Sequence, residues 1–114
     1  MQSCQSLVES HLIFVIAGDG TGRNIYRKLQ RKNIPFATGI LFENDLDYPV
    51  AKALATEVIA TESFEPIKGK KLEAAKATLS ECDHVICCRP HFGTFEKANE
   101  ELLSYAKQLG KIIK

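Results

Sequence analysis

The feature that most constrains the fold is a continuous apolar run, "HLIFVIAG", at residues 11–18. The run contains β-branched residues, ends in glycine and offers no polar face to solvent. This is the pattern of a strand that is buried on both faces. Such strands belong to parallel sheets that are covered by helices on either side. The run therefore predicts the central strand of an α/β protein.

The segments that follow alternate between helical and strand patterns. Alternation at this spacing implies right-handed β-α-β crossovers. We therefore predict a three-layer α/β sandwich with a mostly parallel, Rossmann-like sheet of four to five strands. Residues 1–10 are predicted to be a linker or flexible terminus, and residues 11–114 a single domain. Helices are predicted at 22–33, 47–57, 70–82 and 94–110, and further strands at 35–42, 57–61, 84–89 and 111–114.

Individual residues indicate how the helices begin, end and face the core. Asp47 is predicted to cap the second helix, Thr94 to cap the fourth, and Gly110 to end the fourth. The inward face of the fourth helix is predicted to carry Phe95, Ala98, Leu102, Tyr105 and Leu109.

Ligands of such sheets bind beyond the carboxyl ends of the strands, at the switch in strand order. Three strand-end loops carry polar or charged residues suited to binding: "GDGTGRN", "FENDLDY" and "RPHFGT". The candidate ligand-binding residues are Gly18, Asp19, Gly20, Thr21, Gly22 and Arg23 in the first loop, Glu43, Asn44 and Asp45 in the second, and Arg89 and His91 in the last.

The first loop has two interpretations. Its glycines can let backbone N–H groups approach an anion at a helix N-terminus, with Thr21 and Arg23 as further donors. It can equally be a structural turn between a strand and a helix, because Asp19 adds negative charge and Arg23 stands where the dinucleotide fingerprint has its third glycine. The anion-binding interpretation predicts an anion bound by the backbone N–H groups of residues 20–22, and the structural-turn interpretation predicts none.

The other two loops also have two interpretations each. The clustered carboxylates of Glu43, Asp45 and Asp47 can bind a cation or act as acid and base, or they can simply solvate the loop and cap the next helix. Arg89 and His91 can supply positive charge to an anion, although a lone histidine in such a loop is more often a surface residue.

Several classes of protein are excluded by what the sequence lacks. It has no P-loop pattern, no nucleophile elbow and no cysteine–histidine spacing typical of zinc, so we predict no catalytic residue and no metal site. The net charge is +1, which gives no bulk attraction to nucleic acid or anionic membranes. No apolar run is long enough to span a bilayer, and "MQSCQSLVES" is not a signal peptide, so we expect a cytoplasmic protein.

The cysteines are expected to be reduced. The chain has four, at positions 4, 82, 87 and 88. Cys87 and Cys88 are adjacent on a predicted strand and would point to opposite faces, so a bridge between them would distort the strand.

The sequence resembles the Rossmann-like domain at the C-terminus of ABC transporter ATP-binding proteins of the iron–siderophore, haem and cobalamin uptake class. The matching stretches are "VIAGDGTGRNIYRKL", "GILFENDLDYPVAKALATEVI", "FEPI" and "FGTFEKANEELL". The family's first loop often has glycine where Asp19 stands. Its fourth loop usually has an apolar residue before Pro-Phe-Gly, whereas this chain has "RPHFG", with His91 inserted. The resemblance implies an accessory domain whose partner is the transporter ATPase domain or permease.

Three hypotheses about function follow. The first is a non-catalytic regulatory domain that senses a nucleotide or another small anion for an iron–siderophore or cobalamin importer. The second is a docking or dimerisation domain that has no ligand, with a homodimer as one possible assembly. The third is a small nucleotide-dependent enzyme that uses the carboxylates near Glu43. The identity of a cofactor stays open, with a nucleotide as the candidate.

Overall fold

In a computed structural model of the chain, the structure describes residues 13–18, 20–39, 46–61, 67–91, 93 and 95–114. The described strands are β1 (Ile13–Ala17), β2 (Phe36–Gly39), β3 (Glu57–Ile59), β4 (His84–Cys88) and β5 (Ile112–Ile113). The described helices are α1 (Arg23–Arg31), α2 (Tyr48–Leu54), α3 (Lys70–Ser80) and α4 (Glu96–Gln108). Strands and helices alternate along the chain, as the sequence predicts.

The sheet is a five-stranded parallel sheet with the order β3-β2-β1-β4-β5. This confirms the predicted α/β sandwich and the central position of β1. The chain moves outward from β1 through β2 to β3 and then returns to the other side of β1 through β4 and β5. The strand order therefore switches between β1 and β4, which is where open sheets of this kind form a crevice.

The central strand is buried on both faces, and its alternating residues divide between two cores. Phe14 and Ile16 pack against α3 and α4, whereas Val15 and Ala17 pack on the face covered by α1 and α2. Side chains of consecutive strand residues point to opposite faces, so an apolar run without alternation fills both cores. The two helical layers and the sheet make the three-layer sandwich.

The ends of α4 confirm the predicted role of Gly110 and correct that of Leu109. Gly110 follows the helix with a φ of +74°, as a C-terminal glycine should. Leu109 was predicted to face inward, but it is 44% exposed, because the chain turns away from the core at this point. The helix begins at Glu96, one residue after the buried Phe95, and the predicted cap Thr94 lies outside the described residues.

Within the described part of the chain, no helix is both long and apolar enough to cross a membrane.

Candidate functional site

The loop after β1 is fastened to the end of β4 on both sides. The N–H group of Gly18 donates to the carbonyl oxygen of Cys88 over 3.0 Å, and the Thr21 hydroxyl lies 3.0 Å from the same oxygen and 2.7 Å from the Gly18 carbonyl. In return, the Cys88 thiol donates to the Thr21 carbonyl over 2.9 Å. These contacts hold the loop across the switch between β1 and β4, so the chain itself uses much of the loop's hydrogen-bonding capacity.

The start of α1 holds a carboxylate that comes from the chain. The backbone N–H of Gly22 donates to Oδ2 of Asp47 over 2.9 Å, and Nε of Arg23 lies 3.5 Å from Oδ1 of the same group. The Asp47 side chain is only 4% exposed, and that of Arg23 is 49% exposed. A negative charge at a helix N-terminus is stabilised by the free N–H groups and by the helix dipole. Asp47 therefore sits where an external anion was predicted.

This contact corrects the prediction for Asp47. The residue does stand at the N-cap position of α2, but within the described residues its side chain makes no capping hydrogen bond to that helix. The carboxylate reaches across to α1 instead. Arg23 also contacts the segment before α2, since its Nη2 donates to the Leu46 carbonyl over 3.4 Å. The beginnings of α1 and α2 are thus joined through a buried carboxylate.

Gly20 and Gly22 have separate reasons to be glycine. Gly20 has a φ of +68° and open space around the position of a Cβ, so its backbone conformation is what favours glycine. Gly22 has an ordinary φ of −91°, but a Cβ there would lie 2.6 Å from Cζ of Tyr26. Tyr26 is fully buried, so Gly22 makes room for a core side chain and not for a ligand.

A polar cavity of about 250 Å³ opens at this corner of the sheet. It combines the first loop with the residues just before α2, as expected for loops that leave the same edge of a parallel sheet. Arg23 lies at its rim, and Leu46 beside it is 75% exposed. The lining residues are Gly20, Thr21, Arg23, Asn24, Leu46 and Asp47.

The other candidate residues are distributed differently. Arg89 follows Cys88 at the end of β4 with a φ of +50°, and it does not line the described cavity. His91 does not line it either. Its Nδ1 lies 3.1 Å from Oε2 of Glu100 on α4, and its side chain is 61% exposed, in agreement with a surface histidine. Asp19, Glu43, Asn44 and Asp45 lie outside the described residues.

Sequence reasoning missed a buried amide at the same edge. Asn99 on α4 is 2% exposed, and its Nδ2 donates to the carbonyls of Ala17 and Pro90 over 3.1 and 3.2 Å. It therefore ties α4 to the ends of β1 and β4. The available signal was a polar residue one turn after Phe95, within the apolar stripe of a helix.

A surface group of potential metal ligands was also missed. Ligand atoms of His91, Glu96 and Glu100 all lie within 4.8 Å of one another, and all three residues are exposed. The signal was the spacing of the two glutamates, because residues four apart share one face of a helix.

The thiols differ in their surroundings. Cys82, Cys87 and Cys88 are all free, and Cys4 lies outside the described residues. Burial raises the pKa of Cys82 to about 11 and raises the pKa of Cys87 as well, because the thiolate is the form that loses hydration. Both therefore favour the neutral thiol.

Comparison with known proteins identifies the family. The model of the MJ0874 family matches residues 36–113, more than half of the chain. The chain belongs to the MJ0874 family. An uncharacterized protein of that name from Methanocaldococcus jannaschii is 32% identical over 72 residues, which are 63% of this chain and 77% of the relative. No solved structure matches the chain.

Membership of the MJ0874 family overturns the resemblance to ABC transporter accessory domains, which was wrong. The short stretches behind that resemblance are mostly strand-end loops and amphipathic helices, and many α/β sheets share such patterns. The expected ATPase or permease partner rested on that resemblance alone. The matched region begins at the first residue of β2, so it includes Asp47 but leaves out β1, the glycine-rich loop and α1.

Proposed function

We propose that this chain is a non-catalytic ligand-sensing domain, which binds a small anionic ligand such as a nucleotide at the carboxyl edge of the sheet. The observation that carries this proposal is the polar cavity beside the start of α1, with the half-exposed guanidinium of Arg23 at its rim. The cavity lies at the carboxyl edge of the sheet, the edge at which ligands of open parallel sheets bind, and its lining comes from the segments that follow β1 and β2.

The size of the cavity limits how a nucleotide would bind. Its volume of about 250 Å³ is below the roughly 300–1,000 Å³ that is usual for pockets of drug-sized ligands. We therefore propose that one charged group, such as a phosphate, enters the cavity and that the rest of the ligand lies over the open edge. Arg23 would hold the charged group through a charge-assisted hydrogen bond, while the side chain of Asn24 adds a polar contact.

A docking domain without a ligand is the second candidate, and the closure of the first loop favours it. The N–H groups of Gly18, Thr21 and Gly22 all donate to acceptors within the chain, at 3.0, 3.2 and 2.9 Å. A loop that is satisfied in this way needs no anion to complete it. The exposed Leu46 at the cavity rim would then belong to a contact surface.

We also propose a cytoplasmic location. The free thiols of Cys82, Cys87 and Cys88 support it, because reducing compartments keep cysteines unpaired.

Calorimetric titration tests the proposal. Wild type is titrated with ADP, NAD, adenosine and inorganic phosphate, and the same titrations are made with Arg23→Gln. We expect affinity in the micromolar range or weaker for a phosphate-bearing ligand, and a loss of about tenfold or more in Arg23→Gln, since a charge-assisted hydrogen bond contributes roughly 1.5–3 kcal/mol.

Arg31→Gln is the matched control. Arg31 is an exposed arginine in the last turn of the same helix and does not line the described cavity. Its variant should bind like wild type. If wild type binds none of the four compounds at millimolar concentration and self-associates in sedimentation, the docking domain is the better description. Turnover of a bound nucleotide would instead identify an enzyme.

A further inference from the structure

The carboxylate of Asp47 occupies the position that a bound anion takes at a helix N-terminus. It accepts the N–H of Gly22, it lies 3.5 Å from Nε of Arg23, and it is almost completely buried. A carboxylate and a phosphate use the same donors, namely backbone N–H groups and guanidinium groups. We propose that Asp47 is a built-in competitor of the ligand, which leaves the start of α1 when an anion binds. This inference rests on the proposed function.

Competition follows from the shared donors. An anion in the cavity contacts Arg23, and Arg23 is already paired with Asp47. Two negative groups beside one guanidinium repel each other, and the repulsion is strong because the Asp47 carboxylate is shielded from water. The ligand therefore gains the guanidinium and the Gly22 N–H group only as Asp47 gives them up. Asp47 lowers the affinity for anions and sets a threshold concentration for binding.

Displacement of Asp47 transmits binding to α2. Asp47 directly precedes that helix, and its carbonyl accepts the N–H of Ala51 over 2.9 Å, so the residue is part of the first turn. The carboxylate joins this turn to α1, while the rest of the short helix packs on the core through the buried Ala51 and the partly buried Tyr48, Val50 and Leu54. When the carboxylate leaves Gly22, the first turn of α2 loses its connection to the glycine-rich loop. The sensed signal is then a change at residues 46–50.

The substitution Asp47→Asn separates the charge of the side chain from its shape. Asparagine keeps an oxygen that can accept the Gly22 N–H, but it does not repel an anion or pair with Arg23. We expect Asp47→Asn to bind ADP and inorganic phosphate at least tenfold more tightly than wild type does. Adenosine, which has no phosphate, should bind both proteins equally. Asp47→Ser, with a shorter acceptor, should change the affinities in the same direction.

Glu81→Gln is the charge-matched control. It also removes one negative charge, but Glu81 is an exposed residue at the end of α3 and does not line the cavity. Its affinity for phosphate should stay within twofold of the wild-type value. The second readout is the amide spectrum of wild type. ADP should shift the resonances of Gly22 and of residues 48–50 together, and in Asp47→Asn the shift at residues 48–50 should be smaller.

The outcomes distinguish the two proposals. If wild type binds ADP or phosphate and neither Asp47 variant binds more tightly, Asp47 is a structural cap, and the inference is overturned while the proposed function stands. If neither wild type nor the Asp47 variants bind any phosphate compound at millimolar concentration, both proposals are overturned. A gain that Glu81→Gln shares would reflect net charge alone and would also overturn the inference.

Discussion

Replacing Gly22 with alanine is expected to destabilise the protein by about 1–3 kcal/mol through a collision inside the core. A Cβ at this position would lie 2.6 Å from Cζ and 2.7 Å from the hydroxyl oxygen of Tyr26. The ring of Tyr26 stacks on Phe36 with centroids 5.4 Å apart, and its hydroxyl lies 3.2 Å from Oγ1 of Thr38. The ring can therefore retreat only by disturbing Phe36 or by giving up the contact with Thr38.

A loss of stability in Gly22→Ala can be assigned to the collision with Tyr26, because the backbone conformation of Gly22 by itself favours alanine. Gly22 has φ −91° and ψ −10°, which alanine adopts easily. Without the tyrosine, the substitution would stabilise the protein by about 0.4–1 kcal/mol, because alanine has less freedom in the unfolded chain. In urea denaturation with an m-value of about 1.5 kcal/mol/M, a net loss of about 2 kcal/mol lowers the midpoint by about 1.3 M.

Two further variants show whether the reasoning is right. In a Tyr26→Leu background, Gly22→Ala should lose most of its effect, because the colliding ring is absent. Gly20→Ala is the contrasting case: it has open space but a φ of +68°, so its penalty of about 1–2 kcal/mol should be the same in both backgrounds. A Gly22→Ala protein within about 0.5 kcal/mol of wild type, or a penalty that Tyr26→Leu leaves unchanged, would refute the argument.

Three other predictions concern buried polar groups. Tyr26→Phe should lose about 0.5–1.5 kcal/mol in urea denaturation, since it deletes one buried hydrogen bond; no loss would contradict this. Asn99→Asp should be destabilised less near pH 4 than near pH 7, because only a protonated acid can donate to one of the two carbonyls, of Ala17 or of Pro90. The pKa of the new acid is then raised in the folded state, so stability falls as the pH rises, and equal penalties at both pH values would contradict this. Burial raises the pKa of Cys82 to about 11, so this thiol should resist alkylation in the folded protein near pH 8, as followed by mass spectrometry; rapid labelling of the folded protein would count against this. The contribution of the neutral thiol to stability should be complete below about pH 9 and should be lost as the pH rises towards 11.

The fold was predictable because its determinants are local in the sequence. An apolar run without alternation fills both cores only if the strand is central, and β1 with Phe14 on one side and Val15 on the other does so. The C-terminal glycine of α4 is equally local, since a residue with positive φ ends a helix wherever it occurs. Leu109 was misassigned because the apolar period continues past the point where Gly110 turns the chain.

The contacts at the candidate site were not predictable, because they join residues that are distant in sequence. A residue at the N-cap position, such as Asp47 before α2, is expected to accept a backbone N–H of its own helix. The packing of α2 beside α1 offers Asp47 the N–H of Gly22 instead, 25 residues away in sequence. The same holds for Asn99. Local rules place it on a face of α4, but only the folded sheet brings its side chain to the carbonyls of Ala17 and Pro90. In both cases a tertiary hydrogen bond, which joins residues distant in sequence, fixes the side chain.

The glycine-rich loop shows why such a motif is weak grounds for assigning a ligand. Gly18 donates its N–H to the Cys88 carbonyl, Gly20 adopts a positive φ, and Gly22 leaves space for the ring of Tyr26. Each glycine thus has a reason that lies within the chain, and a loop built for these reasons alone would have the same sequence. What distinguishes a binding site here is the charge that the folded chain leaves accessible. The half-exposed Arg23, partly neutralised by a buried carboxylate, is such a charge, and a loss of phosphate binding in Arg23→Gln decides between a sensor and a turn.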